Sequence, residues 1–368
     1  MTGEQEIITS LGKLGETLAD LPGGPPLRGL ERVTERHPLR TNSYYTGLIL
    51  HADDPIWRQS VPSPLELERE DGLVDPLAEE ALSPVPNLVH RYPDRVLWLV
   101  SSVCAMHCRF CTRKRRWLAP RPLDDQSFQA GLEYIEKHPE IRDVLLSGGD
   151  PLMLPFEKLE AIIAALRKVE HVGVIRIGTR VPCTLPQRIT ADLARMLSRY
   201  HPIYMNIHFN HPREITPESE RACTLLANAG IPLGSQTVLL KGVNDDPKTL
   251  RELFEKLLRM RVRPYYLLQM DLTLGTAHFR TPLASGLRII QALRNHISGL
   301  AVPQFVVDLP GGKGKMPLLP NSILKIGQEN LVLKNFRGET CEYPLLSGES
   351  EELSDWLPLH GKAALAGK

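Results

Sequence analysis

From Arg95 onward the chain repeats one unit. Short apolar, β-branched runs recur as "RVLWLVSSV" at 95–103, "DVLLSGG" at 143–149, "VIRIGTRV" at 174–181 and "IYMNIHF" at 203–209. They continue with "LGSQTVLL" at 233–240, "RPYYLLQMD" at 263–271 and "QFVVDLP" at 304–310. Most of their starts lie about 30 residues apart, the length of a βα unit. Between them "FEKLEAIIAALRKV", "ITADLARMLSRY" and "PKTLRELFEKLLRM" place apolar residues at i, i+3, i+4 and i+7, the helical period. Strands that are apolar along nearly their whole length need cover on both faces, and intervening helices supply it. The pattern predicts an α/β fold of six or seven βα units in a TIM-like barrel, complete or partial. A doubly wound open sheet is the competing arrangement. Residues 1–88, rich in proline and charge, predict a helical, loop-rich N-terminal region; 89–308 form the barrel core and 309–368 a C-terminal extension.

Composition narrows the function. No apolar run approaches the roughly 20 residues that cross a bilayer, and "MTGEQEIITS" lacks a basic-then-apolar leader. A cytoplasmic protein without a membrane partner is expected. A formal net charge of +1 argues against a nucleic-acid partner.

In parallel barrels the chemistry gathers at the C-terminal ends of strands. The unusual polar residues lie there: "CAMHC", "SGGDP", "HFNHP", "MD" and "DLPGGKGK" follow successive runs. In the first, Cys104, Cys108 and Cys111 are spaced C-x3-C-x2-C, while Cys183, Cys223 and Cys341 are scattered. A structural zinc site needs four ligands, and His107 is an imperfectly placed fourth. A [4Fe–4S] cube held by three thiolates keeps one iron open to an exogenous ligand. The spacing resembles that of the radical S-adenosylmethionine (SAM) enzymes. Ser147, Gly148, Gly149 and Asp150 resemble the stretch that lies against the methionine end of SAM in those enzymes, its glycines allowing close backbone approach. The plainer alternative is a tight turn in which Asp150 caps the next helix. His208, in the polar end of the fourth run, is counted with the cofactor-binding residues.

The stretch "LPGGKGKMPLLP" fails the P-loop pattern, because Met316 stands where a hydroxyl residue should follow Lys315. Its glycines and lysines, with Arg91 and Arg95 before the first strand, suit pyridoxal phosphate (PLP) instead: a lysine for its aldehyde and cations for its phosphate.

Nine ordered stretches then carry a fuller resemblance. "SPVPNLVHRYPDRV", "CAMHCRFCTRKRR", "SGGDPL", "GTRVPCTLP", "HFNHPREIT", "QTVLLKGVND", "DLTLGTAHFRTP", "FVVDLPGGKGK" and "MPLLPN" resemble the lysine 2,3-aminomutase family, PLP-dependent radical SAM enzymes, from about Asn42 to Tyr343. The resemblance implies a partial (β/α)6 barrel. It implies that Cys104, Cys108 and Cys111 hold three irons and that SAM binds the fourth. Lys315 matches the PLP-bearing lysine, Lys313 falls where relatives often have glycine, and Arg91 would meet the PLP phosphate with Tyr92 beside it. Arg113 matches the arginine that pairs with the substrate carboxylate, leaving Lys114, Arg115 and Arg116 as a solvated basic face. Asp271 and Asp308 match two aspartates that grip the distal ammonium of lysine.

The implied activity is interconversion of L-lysine and β-lysine through a 5′-deoxyadenosyl radical, with a low-potential electron donor as partner. Alternatives are the same chemistry on arginine, glutamate or a lysine of a translation factor, or an iron–sulfur electron-transfer protein. One departure stands out. The tail after Cys341 has no cysteine, so no zinc is expected, and a homo-oligomer, dimer or tetramer, would form without the family's zinc cluster.

Overall fold

A computed structural model describes residues 6–69, 71–320 and 322–356. The expected end of the C-terminal extension, from 357, and the first residues of the N-terminal segment lie outside the described residues.

One sheet of nine strands organises the molecule: β1 (Leu88–Tyr92), β2 (Arg95–Ser101), β3 (Asp143–Gly148), β4 (Val174–Thr179), β5 (Ile203–Ile207), β6 (Leu233–Leu239), β7 (Val262–Gln269), β8 (Gln304–Asp308) and β9 (Lys315–Pro317). The strand order follows the chain from β1 to β9 without a reversal. That excludes the doubly wound alternative, whose order reverses at a switch point. Neighbours from β2 to β8 are parallel; β1 and β9 close the two edges as antiparallel hairpin partners. Helices α1 (Asp125–Lys137), α2 (Phe156–Arg167), α3 (Ala191–Ser198), α4 (Pro217–Asn228), α5 (Pro247–Arg259) and α6 (Leu283–Leu293) each follow one of β2 to β7. The result is six βα units and a last strand, an open (β/α)6 barrel.

The helices start where their caps put them. Asp246 accepts a hydrogen bond from the Thr249 N–H (2.9 Å) at the head of α5, leaving Leu250, Leu253, Phe254 and Leu257 on the buried face. On the strands every second residue is buried as well: Val144, Leu146, Ile175, Ile177, Ile203, Met205 and Ile207. The residues between them, Leu145, Ser147, Arg176, Asn206 and Gln236 among them, line a cavity inside the sheet. The expectation of strands apolar on both faces is therefore corrected. Period 2 sends one face to the helices and a mixed, partly polar face to the lumen.

Before the barrel come short helices, including Leu11–Thr17 and Pro55–Ser60, and a two-residue strand pair, Ile7–Ile8 with Thr41–Asn42. After it, β10 (Ile323–Ile326), β11 (Asn330–Lys334) and β12 (Thr340–Pro344) form a separate antiparallel sheet. Position 308/309, the expected start of the extension, falls inside the β8–β9 hairpin, so Lys315–Pro317 belong to the barrel sheet. No helix among the described residues is long and apolar enough to cross a membrane.

Candidate active site

The lumen holds a cavity of about 620 Å³. All the residues singled out as site candidates line it: the three cysteines, Ser147 to Asp150, Arg91, Tyr92, Arg95, His208, Arg113, Asp271, Asp308 and Lys315. Thiols gather at one end and Lys315 with its acids at the other.

The thiol end is built by backbone. The segment leading from β2 into the cysteines is clamped by β3: the Gly149 N–H donates to the Ser101 carbonyl (2.6 Å) and the Asp150 N–H to that of Val103 (2.7 Å). A Cβ on Gly148 would lie 2.2 Å from the Ser101 oxygen, and one on Gly149 2.4 Å from the Val103 oxygen. Gly148 also has φ +129°, which side chains disfavour. These glycines admit the neighbouring chain that delivers the cysteines, and they also line the cavity.

Asp150 also holds neighbouring backbone in place. Its carboxylate accepts from the Thr179 hydroxyl (2.7 Å), the Arg180 N–H (2.7 Å) and the Leu152 N–H (3.0 Å). Burial pushes it up to about 6. It caps the 151–153 turn, anchors the start of the Arg180 loop and lines the cavity.

Burial and the charges of neighbouring thiols push Cys104 and Cys111 up, as expected where sulfurs sit close together without a metal. Among the described residues no three such side chains converge on one metal ion. Three thiols lining one cavity suit a cube, whose irons occupy separate corners. His107 turns elsewhere: its ring stacks on Trp117 at 4.4 Å and its Nδ1 lies 3.0 Å from the Pro38 carbonyl. His208 faces the cavity with Nε2 3.0 Å from Asn210 Oδ1. Burial, then the charge of Arg180, lowers it to about 3, so its ring is neutral.

The lysine end is built by charge. Asp308 and Lys315 are directly paired across β8 and β9, and the Lys315 ammonium is ion-paired with the Asp308 carboxylate. Arg91 Nη1 lies 3.5 Å from Asp308 Oδ1, and its Nη2 donates to the Leu77 carbonyl (2.9 Å). The Lys315 N–H donates to the Tyr92 hydroxyl (3.1 Å), while the Arg95 guanidinium stacks 4.1 Å from the Tyr92 ring. Arg91 Nε and Asp308 Oδ1 are buried without a hydrogen-bond partner. Burial and then the charge of Asp308 push Asp271 up to about 7. Lys313 is exposed and does not line the cavity.

Arg113 is held by Glu79, with Nη2–Oε1 at 2.7 Å, and its Nη1 donates toward the Gly148 carbonyl at 3.3 Å. Burial opposes ionisation of Glu79, yet Arg113 and Arg115 hold it at about 2. The solvated basic face expected for Lys114, Arg115 and Arg116 is not there. Lys114 is buried on Glu66 (2.6 Å), Arg115 pairs with Glu79 (2.9 Å) and Arg116 with Glu80 (3.1 Å). Glu66 and the acidic run "DPLAEE" at 75–80 together neutralise the basic one, since buried charge must be paired. Sequence reasoning also missed Arg180, whose Nη1 donates to Cys108 Sγ at 2.9 Å. Its only local trace is a cation at the polar end of "VIRIGTR".

Comparison with known proteins places this geometry. A family profile described as Lysine-2,3-aminomutase matches residues 290–355, and one described as Radical SAM superfamily matches 98–257. An L-lysine 2,3-aminomutase from Acetoanaerobium sticklandii is 49% identical over 337 residues, 89% of this chain and 81% of that one. A putative L-lysine 2,3-aminomutase from Aquifex aeolicus is 46% identical and covers 92% of each chain. A glutamate 2,3-aminomutase from Clostridioides difficile is 44% identical over 81% of this chain and 72% of its own.

Proposed function

Because this chain belongs to the lysine 2,3-aminomutase family of radical SAM enzymes, we propose that it interconverts L-lysine and β-lysine. Radical SAM membership implies a [4Fe–4S] cluster and SAM, and the lysine end fits PLP. When bound, the cluster and SAM supply a primary carbon radical, and PLP supplies an electron sink that eases migration of the amino group. Cys104, Cys108 and Cys111 would hold the cluster and Lys315 the PLP aldehyde. Arg91, with a buried N–H lacking an acceptor, and Arg95 offer charge to the phosphate.

The observation that carries the choice of lysine is the acidic pair. Asp308 already seats a primary alkylammonium, that of Lys315, and Asp271 is close enough to feel its charge. A substrate with an ammonium at its far end meets two carboxylates there. A substrate with a distal carboxylate meets like charges, which disfavours glutamate. Arg113, steadied by Glu79, would take the substrate carboxylate near Ser147 and Gly148. Gripping lysine at both ends fixes the carbon that loses hydrogen relative to the migrating nitrogen.

The test is anaerobic turnover of the reconstituted full chain with SAM, PLP and a reductant. Lysine, arginine, glutamate and alanine are offered in parallel and products are identified by NMR. β-Lysine from lysine, with no β-glutamate from glutamate, is the expected result. Preferential turnover of glutamate or arginine would sink the lysine assignment.

A further inference from the structure

Four segments meet at one guanidinium. Arg180 Nη1 donates to Cys108 Sγ (2.9 Å), while Nη2 lies on Glu214 Oε1 (2.7 Å) and donates to Gln59 Oε1 (2.7 Å). Tyr45 Oη stands 3.3 Å from the same Nη2 and itself donates to Glu214 (2.5 Å). The Arg180 backbone N–H is fixed by Asp150, and the guanidinium lies 5.0 Å from the Phe110 ring. Arg180 and Glu214 are both buried. An ion pair needed only for packing would leave no reason for the other arm of the fork to end on a cysteine sulfur. Hydrogen bonds and positive charge at a ligating sulfur favour the reduced, more negative state of an iron–sulfur cluster. A carboxylate beside the cation moderates that effect.

We propose that Arg180 is a positioning residue that orients Cys108 and sets the reduction potential of the cluster, with Glu214 as its counterweight. The inference rests on the reading that the three cysteines hold a cluster.

The experiment uses the anaerobically reconstituted full chain and its Arg180→Gln, Arg180→Lys and Glu214→Gln variants. Iron and sulfide are counted, the clusters are titrated by electron paramagnetic resonance against poised potentials without SAM, and SAM affinity is then measured. Removing the donor makes the cluster harder to reduce. In Arg180→Gln the ratio of reduced to oxidised cluster at a fixed poise falls about tenfold, equivalent to about 59 mV for one electron. Arg180→Lys shifts less in the same direction, and Glu214→Gln shifts in the opposite one. Three outcomes overturn the proposal. They are unchanged potentials in iron-replete Arg180 variants; normal potentials with SAM affinity lost, which would assign the partnerless buried Arg180 Nε to a SAM acceptor; and iron loss in both Arg180 variants while Glu214→Gln keeps the wild-type potential. Absence of iron from the wild-type chain would instead defeat the cluster reading itself.

Discussion

The two ends of the cavity are held by different physics. At the thiol end the decisive contacts run from backbone to backbone: β3 grips the cysteine-bearing segment at carbonyl oxygens that only glycine can approach. At the lysine end they run between charges, Lys315 and Arg91 about Asp308, with Asp271 at about 7 and the buried Arg91 Nε lacking an acceptor. A steric clamp is indifferent to pH and intolerant of one methyl group. A charge cluster tolerates small changes of shape and responds to protons and to cations. The difference suits the tasks proposed: a cluster that must stay put, and a pocket that must accept and release an ammonium.

The clamp should break hardest. In Gly149→Ala the new methyl would sit 2.4 Å from the Val103 carbonyl carried by the segment before Cys104, and backbone must shift to clear it. Misplacement by about 1 Å costs about 100-fold in rate. The expected result is a loss of that size in turnover together with substoichiometric iron. Full iron content and wild-type turnover would show that the clamp is dispensable.

At the other end, Asp308→Asn should cost less and cost it selectively. The variant keeps the shape but removes the charge that meets an ammonium. Truncating a buried charge pair costs about 3–5 kcal/mol where the partner stays buried. Lys315 is part-exposed, so the cost falls below that range, and kcat/KM for lysine should fall roughly 100-fold at most. An equal fall for a substrate without a distal ammonium would remove the specificity argument.

Much of this contrast was legible in the sequence and part of it could not be. The βα spacing and helical periods are local, so six units and their order could be expected before the structure. The cysteine spacing is local too. The lumen was hidden because Arg176 and Asn206 are single polar residues inside otherwise apolar stretches, which look like strands buried on both sides. That two glycines were needed was visible, but not what approaches them, since Ser101 and Val103 come from another strand end. Glu79 and Arg180 escaped for the same reason. Their partners stand 34 residues away, at Arg113 and at Glu214, and nothing local fixes such a pairing. The basic "RKRR" looked solvated because the acids that bury it lie far upstream.

A smaller effect sharpens the lysine end through pH. Asp271 has a folded value near 7 against an ordinary 3.8, so between those values the native state binds a proton that the unfolded state has released. Stability contributed by this group is therefore present below about pH 4 and is lost as pH rises through about 7. A shift of this kind is worth on the order of 2 kcal/mol after allowing for its coupling to Asp308. Asp271→Asn should be more stable than wild type at pH 8 and lose that advantage at acid pH, as read from urea midpoints. Substrate binding should run the opposite way, because an ammonium favours the ionised carboxylate. The KM for lysine is expected to fall several-fold between pH 6 and 8 in the wild type and to stay flat in Asp271→Asn.

The smallest expected effect separates the two lysines of the glycine loop. Lys313 is exposed, outside the cavity, whereas Lys315 lies in it with its backbone fixed on Tyr92. Only the second can reach a group held by Arg91 and still belong to a strand of the barrel sheet. Exposed substitutions without partners usually change stability by less than about 0.5 kcal/mol. Lys313→Ala should keep turnover within about twofold and retain the PLP label after borohydride reduction, while Lys315→Ala should lose both. Transfer of the label to Lys313 in the wild-type chain would mean that the loop adopts a different register when loaded. The hairpin pairing of Asp308 with Lys315 would then describe only one of its states.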